Sequence, residues 1–352
     1  METAVHLGKN PVNSDAHAPA QRGLRRLNGG SQAAADDATM QTWSLPAVGA
    51  PCRRSVLRWL CALVLGASTG AACAAAPAPA GLTLAQRYTA LVSGPARPLA
   101  PGVYLESAEE AHRARGEVLA RLDLPYATAA AMLADAQAWC RLLMLHPNVK
   151  HCLPGTAGGR GVLLDLTMAA QRDGLFGQEH LLQLNWTTLA HNASHLAVEL
   201  MAERGPMGTR DYRIGFELAP LEAGTSVMRL VYSSAFTATG LWMAQAYVAT
   251  VARHRVGFTV VDTDAQGRPV YVRGVRAAVE RNTMRFHLAV QSWLAVQPHP
   301  PEQRVARAIE VWFDASERHA AQLHEVEREE YVARKTAEFA RVAGPEAPPP
   351  RR

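Results

Sequence analysis

The stretch WCRLLMLHPNVKHC, residues 139–152, sets Cys140 and Cys152 twelve positions apart with His146 and His151 between them. Thiols and imidazoles in one short segment can hold a metal, form a nucleophile with its base, or close a disulfide. Zinc sites favour spacings such as Cys-x2-Cys or His-x3-His, and Cys-x5-His-x4-His-Cys fits neither. HNASH (191–195) has two histidines four apart, but its flanks are strand-like and no carboxylate is placed beside them, so it reads as a hairpin turn. DTDAQG (262–267) opens like a calcium loop, yet the twelfth position is Arg273, where such a loop needs a bidentate glutamate. Ser233-Ser234 lacks the Gly-x-Ser-x-Gly elbow, and no phosphate loop or dinucleotide fingerprint occurs. Nothing here names a reaction, a metal or a cofactor.

The compartment decides between the readings of the cysteine pair. Residues 1–50 are polar, rich in Gly, Ala and Pro, and without periodicity, which predicts a disordered leader; Met40 offers a second start. Residues 51–76 have the layout of a cleavable export signal: Arg53, Arg54 and Arg58, an apolar run Trp59–Leu65, then Ala-x-Ala options near Ala72–Ala76. The apolar run is shorter than the ~20 residues needed to span a bilayer. Arg-Arg-Ser-Val-Leu-Arg also resembles a twin-arginine signal, although Val56 stands where an aromatic is usual. Cys73 as a lipid anchor lacks the expected preceding leucine, so cleavage is preferred and no membrane anchor is expected in the mature chain. A bacterial periplasmic location follows. Export removes Cys52, Cys61 and Cys73, and the remaining pair in an oxidising compartment predicts a Cys140–Cys152 disulfide.

The chain has 352 residues, 48% of them hydrophobic, enough for a substantial core. Its net charge is +5, of which +3 lies in residues 1–75; the remainder is near neutral, which argues against a nucleic-acid partner. After a linker at 77–101, VYLESAEE and RGEVLARLDLP read as strands, and residues 126–145 read as one helix started by Pro125 and ended by Pro147. GVLLDLTM, HLLQLNWTTL, HLAVELMAE, DYRIGFELAP and SVMRLVYSSAF then alternate like strands, with hairpin-length links between the later ones, so they predict an antiparallel meander. Helix 239–254, a short hairpin, and a strongly amphipathic helix 275–296 follow. Residues 302–341 read as a charged appended helix and 342–352 as a disordered tail.

The order strand, helix, meander, C-terminal helix resembles the START-like superfamily, also called polyketide cyclase or Bet v 1-like. The residues carrying the resemblance are RLDLPYATAAAMLADAQAWCRLL…NVKHC and FELAPLEAGTSVMRLVYSS, and it spans 102–296. It implies an α+β helix-grip fold, a curved antiparallel sheet wrapped around a long C-terminal helix, and a cavity for an apolar ligand between them. The expected lining is Trp186, Phe216, Met228 and Tyr232 from the sheet and Phe286, Val290 and Trp293 from the closing helix, with Arg229, Tyr232 and His287 as polar candidates. The expected function is an exported binding protein for a hydrophobic small molecule such as a lipid, isoprenoid or aromatic compound. A cyclase, aromatase or hydrolase using the same cavity is one alternative, and an interaction module acting through 302–341 is another. The sequence leaves the oligomeric state open.

Overall fold

The computed structural model describes residues 82–155, 161–169, 179–222, 224–250 and 252–343. The export signal, Cys73 and the tail beyond residue 343 lie outside them. Eight strands form one antiparallel sheet: β1 (Val103–Glu110), β2 (Arg113–Leu122), β3 (Val149–Pro154), β4 (Val162–Met168), β5 (His180–His191), β6 (Leu196–Arg204), β7 (Thr209–Pro220) and β8 (Ser226–Phe236). Their order, β1-β2-β8-β7-β6-β5-β4-β3, shows why the chain needs a crossover: β2 pairs with the last strand of the meander, and everything between them unrolls on one side. Helix α5 (Gly274–Ala295) returns across the β1-β2-β8 end. This is the α+β helix-grip arrangement that the resemblance implies.

Side chains alternate across a pleated strand, so the register decides which residues share the inner face. Ser107, Gly116, Tyr232, Ile214, Leu200, Trp186 and Val162 form one transverse row, each opposite the next. Leu105, Val118, Leu230, Phe216 and Val198 form a second. α5 crosses the first row at Gly116. A Cβ there would meet Thr283 Oγ1 at 2.2 Å and Val279 Cγ1 at 3.1 Å, so the missing side chain sets how close helix and sheet come.

Several elements differ from expectation for local reasons. The helix expected over 126–145 is two, α2 (Tyr126–Leu133) and α3 (Ala136–Leu143), because Asp135 caps the second by accepting from the Ala138 N–H at 3.0 Å. Trp139 Nε1 donates to the Leu133 carbonyl that the break frees. The stretch expected as a linker holds α1 (Leu84–Ser93), started by a reciprocal capping box between Thr83 and Gln86. α1 lays Leu84 and Tyr88 on Tyr104, Leu119, Ala219 and Val227 of the outer sheet face, a second small core. The helix expected over 302–341 is three: α6 (Pro301–Glu317), α7 (Ala320–Leu323) and α8 (Arg328–Ala343). They fold back, with the Tyr331 hydroxyl donating to the Leu145 carbonyl and Lys335 Nζ to that of Val149.

An insertion, α4 (Ala238–Ala249) and the hairpin β9 (Val260–Thr263) with β10 (Pro269–Tyr271), precedes α5. Its attachment is Glu280 on α5, which accepts from the Phe258 and Thr259 N–H groups and from the Thr259 and Ser107 hydroxyls. Cys140 and Cys152 are joined in a disulfide with Cα atoms 5.2 Å apart, tying α3 to β3. Removing that link by Cys140→Ala/Cys152→Ala is expected to cost about 3 kcal/mol by loop entropy, read as a shift in denaturant midpoint. Gly116→Ala is expected to cost about 1–3 kcal/mol by overpacking. Adding Thr283→Ala should return part of that loss; a Gly116→Ala variant as stable as the parent would contradict the close approach.

Candidate functional site

Trp186, Phe216, Met228 and Tyr232 share the inner face, as the sequence pattern expects, and Phe286, Val290 and Trp293 come from helix and sheet packing on α5. The sheet residues and α5 meet through aromatic contacts: Trp139 against Phe216 at 5.4 Å and Tyr232 against Phe286 at 5.8 Å between ring centroids. Arg141 sits 5.8 Å from the Trp293 ring centroid. Phe216, Met228, Phe286 and Val290 are exposed by 1% or less, so they fill the space between sheet and helix themselves. An open cavity at these four residues is therefore not what the described residues form. Trp186 and Tyr232 keep 8% and 7% exposure at the edge of that packing. A hollow of about 10 Å³, close to the size of one water, lies away from these residues among Pro147, Trp312 and Tyr331.

Two of the polar candidates lie elsewhere. Arg229 follows Met228 on β8 and so points to the outer face, where it meets Glu117 and Glu217 beneath α1. Glu117 also receives Arg87 and Arg115. Burial alone would raise the Glu117 carboxyl, but the hydrogen bond and charge of Arg229, with Arg115 and Arg87, hold it below its usual range. This cluster clamps α1 to the sheet. His287 is turned about 100° around the helix from Phe286. It is buried with Nδ1 unpartnered, and burial, aided by His319, lowers its pKa to about 3.

The structure brings together a polar track that the sequence did not reveal. His146 Nδ1 accepts the Asn148 N–H at 3.1 Å, which leaves Nε2–H to donate to Asn282 Oδ1 at 3.4 Å. Asn282 Nδ2 donates to the Tyr232 oxygen at 3.5 Å, and Arg285 Nη1 donates to Asn282 Oδ1 at 3.3 Å. Tyr212 and Ser234 also hydrogen-bond Tyr232, so its hydroxyl is engaged within the track. A β-bulge at Arg210–Arg213, with Asp211 at φ 48°, keeps Tyr212 inward while turning Arg210 out. Arg285 is neutralised by Glu325 at 2.5 Å. Burial first, then Arg285 and Lys335, hold the His146 pKa well below 6.5, so its imidazole is neutral at pH 7. On the inner face Trp186 Nε1–H is also buried and has no acceptor among the described residues. His146 was visible in the sequence as a residue of catalytic type; Asn282 and Tyr212 carried no signal beyond lying one position off an apolar stripe.

No family model and no curated protein sequence matches the chain. It is similar to solved structures of the START/Bet v 1-like superfamily. With human StAR-related lipid transfer protein 5 it shares 9% identity over 48% of this chain and 86% of that one, at a TM-score of 0.31. With the Zhui aromatase/cyclase of Streptomyces sp. R1128 the values are 12%, 36%, 70% and 0.28. With norcoclaurine synthase from Thalictrum flavum they are 13%, 42%, 91% and 0.28.

Both buried histidines have pKa values depressed below the unfolded value of 6.5. Their contribution to stability is thus complete above pH 6.5 and lost as pH falls toward the folded values, about 3 for His287. The expected loss approaches roughly 1.4 kcal/mol per pH unit for each histidine. Thermal unfolding should show a falling Tm from pH 7 to pH 5, less steep in His287→Gln; a flat profile would contradict their burial as neutral groups.

Proposed function

We propose that the chain is an exported protein that holds one apolar small molecule bearing a hydrogen-bond acceptor, between the sheet and α5. The observation that carries this is Trp186. A buried indole N–H without an acceptor among the described residues costs free energy that folding alone does not return, and the row that holds it also holds the hydroxyl of Tyr232. Around these two polar groups the surface is apolar: Leu200, Ile214, Phe216 and Phe286. Rotation of Trp186 and Tyr232, the inner-face aromatics that keep residual exposure, makes the room. A lipid, isoprenoid or aromatic carbonyl compound has the required chemistry.

Export is part of the same proposal and rests on the basic, apolar and small-residue order of residues 51–76 and on the disulfide. No helix among the described residues is long and apolar enough to cross a membrane. Contact with a partner through residues 302–341 has less support, because Trp312, Phe313 and Tyr331 are buried against the sheet domain.

The test uses Nile red, an apolar dye with a carbonyl acceptor. Saturable one-to-one binding is expected, and Trp186→Phe or Tyr232→Phe should weaken it about fivefold, the worth of one hydrogen bond near 1 kcal/mol. Absence of saturable binding to the folded protein would sink the proposal.

A further inference from the structure

Helix α4 is made of residues that belong in a core, yet the fold leaves one side of it, with Trp242, exposed. From Ala238 to Ala252 the chain has no charged residue. Of the helix only Gly240 is buried, and Trp242 is 70% exposed. Its start is held to the turn at 206–208, and its later half lies beside α5. Thr237 caps the helix through the Gly240 N–H at 2.9 Å and donates to the Gly208 carbonyl at 3.2 Å. Gly240 lies so close to the 206–208 turn that a Cβ would be 2.4 Å from Gly208 O. Leu241 and Ala244 touch the core, Met243, Ala246, Tyr247 and Val248 are half-buried, with Tyr247 near Arg281 of α5, and Trp242, Gln245 and Ala249 are exposed. An exposed helix of this composition, with a Trp at its surface, signals an apolar partner.

The charges beside it say which kind. The turn that carries α4 has Arg204 directly opposite Arg210 across β6 and β7, a like-charge pair that is unfavourable on its own. Just past the helix, Arg273 Nη1 donates to the Arg253 carbonyl, which sets a second arginine pair together. Among the described residues none of these four guanidinium groups has a carboxylate at ion-pair distance, and Arg204, Arg210, Arg253 and Arg273 are all exposed. The acids nearby are Glu203 and Glu110, with Asp211 taken by Arg113 and Glu109 accepting the Arg276 N–H. Two unpaired arginine pairs bracketing an apolar, Trp-bearing helix match a layer that is anionic at its surface and apolar beneath.

We infer that α4 is a membrane-docking element, lying in the headgroup layer of an anionic bilayer with Trp242 inserted and the two arginine pairs on lipid phosphates. This is independent of what the interior holds.

The test uses the full chain with vesicles of brominated phosphatidylcholine, with and without phosphatidylglycerol. Fluorescence of the parent is compared with that of Trp242→Phe, so that quenching of the other tryptophans cancels. Docking predicts extra quenching in the parent on phosphatidylglycerol vesicles alone. It also predicts an about tenfold lower partition coefficient for Trp242→Glu and for Arg204→Gln/Arg210→Gln, relief by high salt, and no change for Leu189→Glu, an exposed leucine on β5. Equal quenching of parent and Trp242→Phe would overturn the inference, as would equal binding to vesicles without phosphatidylglycerol. So would a parent that is a dimer in solution and becomes a monomer in Trp242→Glu, since the surface would then belong to a second copy of the chain.

Discussion

The contact on which the rest of the structure depends is the approach of α5 to β2 at Gly116. Without a side chain at that position the helix settles against the sheet deeply enough for Thr283 and Val279 to touch the strand, and Phe286, Val290 and Trp293 then reach the inner rows. The same approach lets Ser107, opposite Gly116, donate to Glu280. Through Glu280 the depth of the helix also fixes the loop at 257–259, and with it the whole insertion. One absent methyl group thus sets the spacing of the interior, while a buried carboxylate with four donors sets where the inserted segment starts.

The packing that follows is asymmetric. At the α5 end the inner face is filled by interlocking aromatic and aliphatic side chains. Along the Gly116 row two polar groups interrupt the apolar lining, the Tyr232 hydroxyl and, beyond Ile214 and Leu200, the indole N–H of Trp186. An ordinary core has no use for buried donors without acceptors, because each forfeits its bond to water. On the outer face the buried Glu117 meets three arginines. The buried carboxylate held by three arginines belongs to the scaffold, and the buried indole N–H of Trp186, without an acceptor among the described residues, marks the candidate site.

Much of the sheet was legible because alternation has a fixed period. The inner positions of β5 to β8 could be named from the sequence, and the register places them on one face. Arg229 was misplaced against that same rule, since its odd position beside Met228 already put it outside. The Thr83-Leu-Ala-Gln86 signature of α1 was present but hidden in a stretch rich in Pro and Ala, and Asp135 was overlooked as a cap within a helix-rich run. His287 and the interior track were not legible for a different reason. A helix position only a quarter turn from an apolar stripe is assigned by what packs on its flank, and the partners, His319 and His146, come from segments distant in the chain. The fold of 302–341 depended likewise on tertiary bonds, Tyr331 to Leu145 and Lys335 to Val149, that no local pattern announces.

The claim that the inner row exists to meet a ligand is tested most directly by native mass spectrometry of the protein purified from the producing cell, before and after extraction with organic solvent. The account predicts a single added mass of an apolar molecule that extraction removes and that returns on re-exposure. A bare chain mass from several producing hosts, unchanged by extraction or re-exposure, would contradict it.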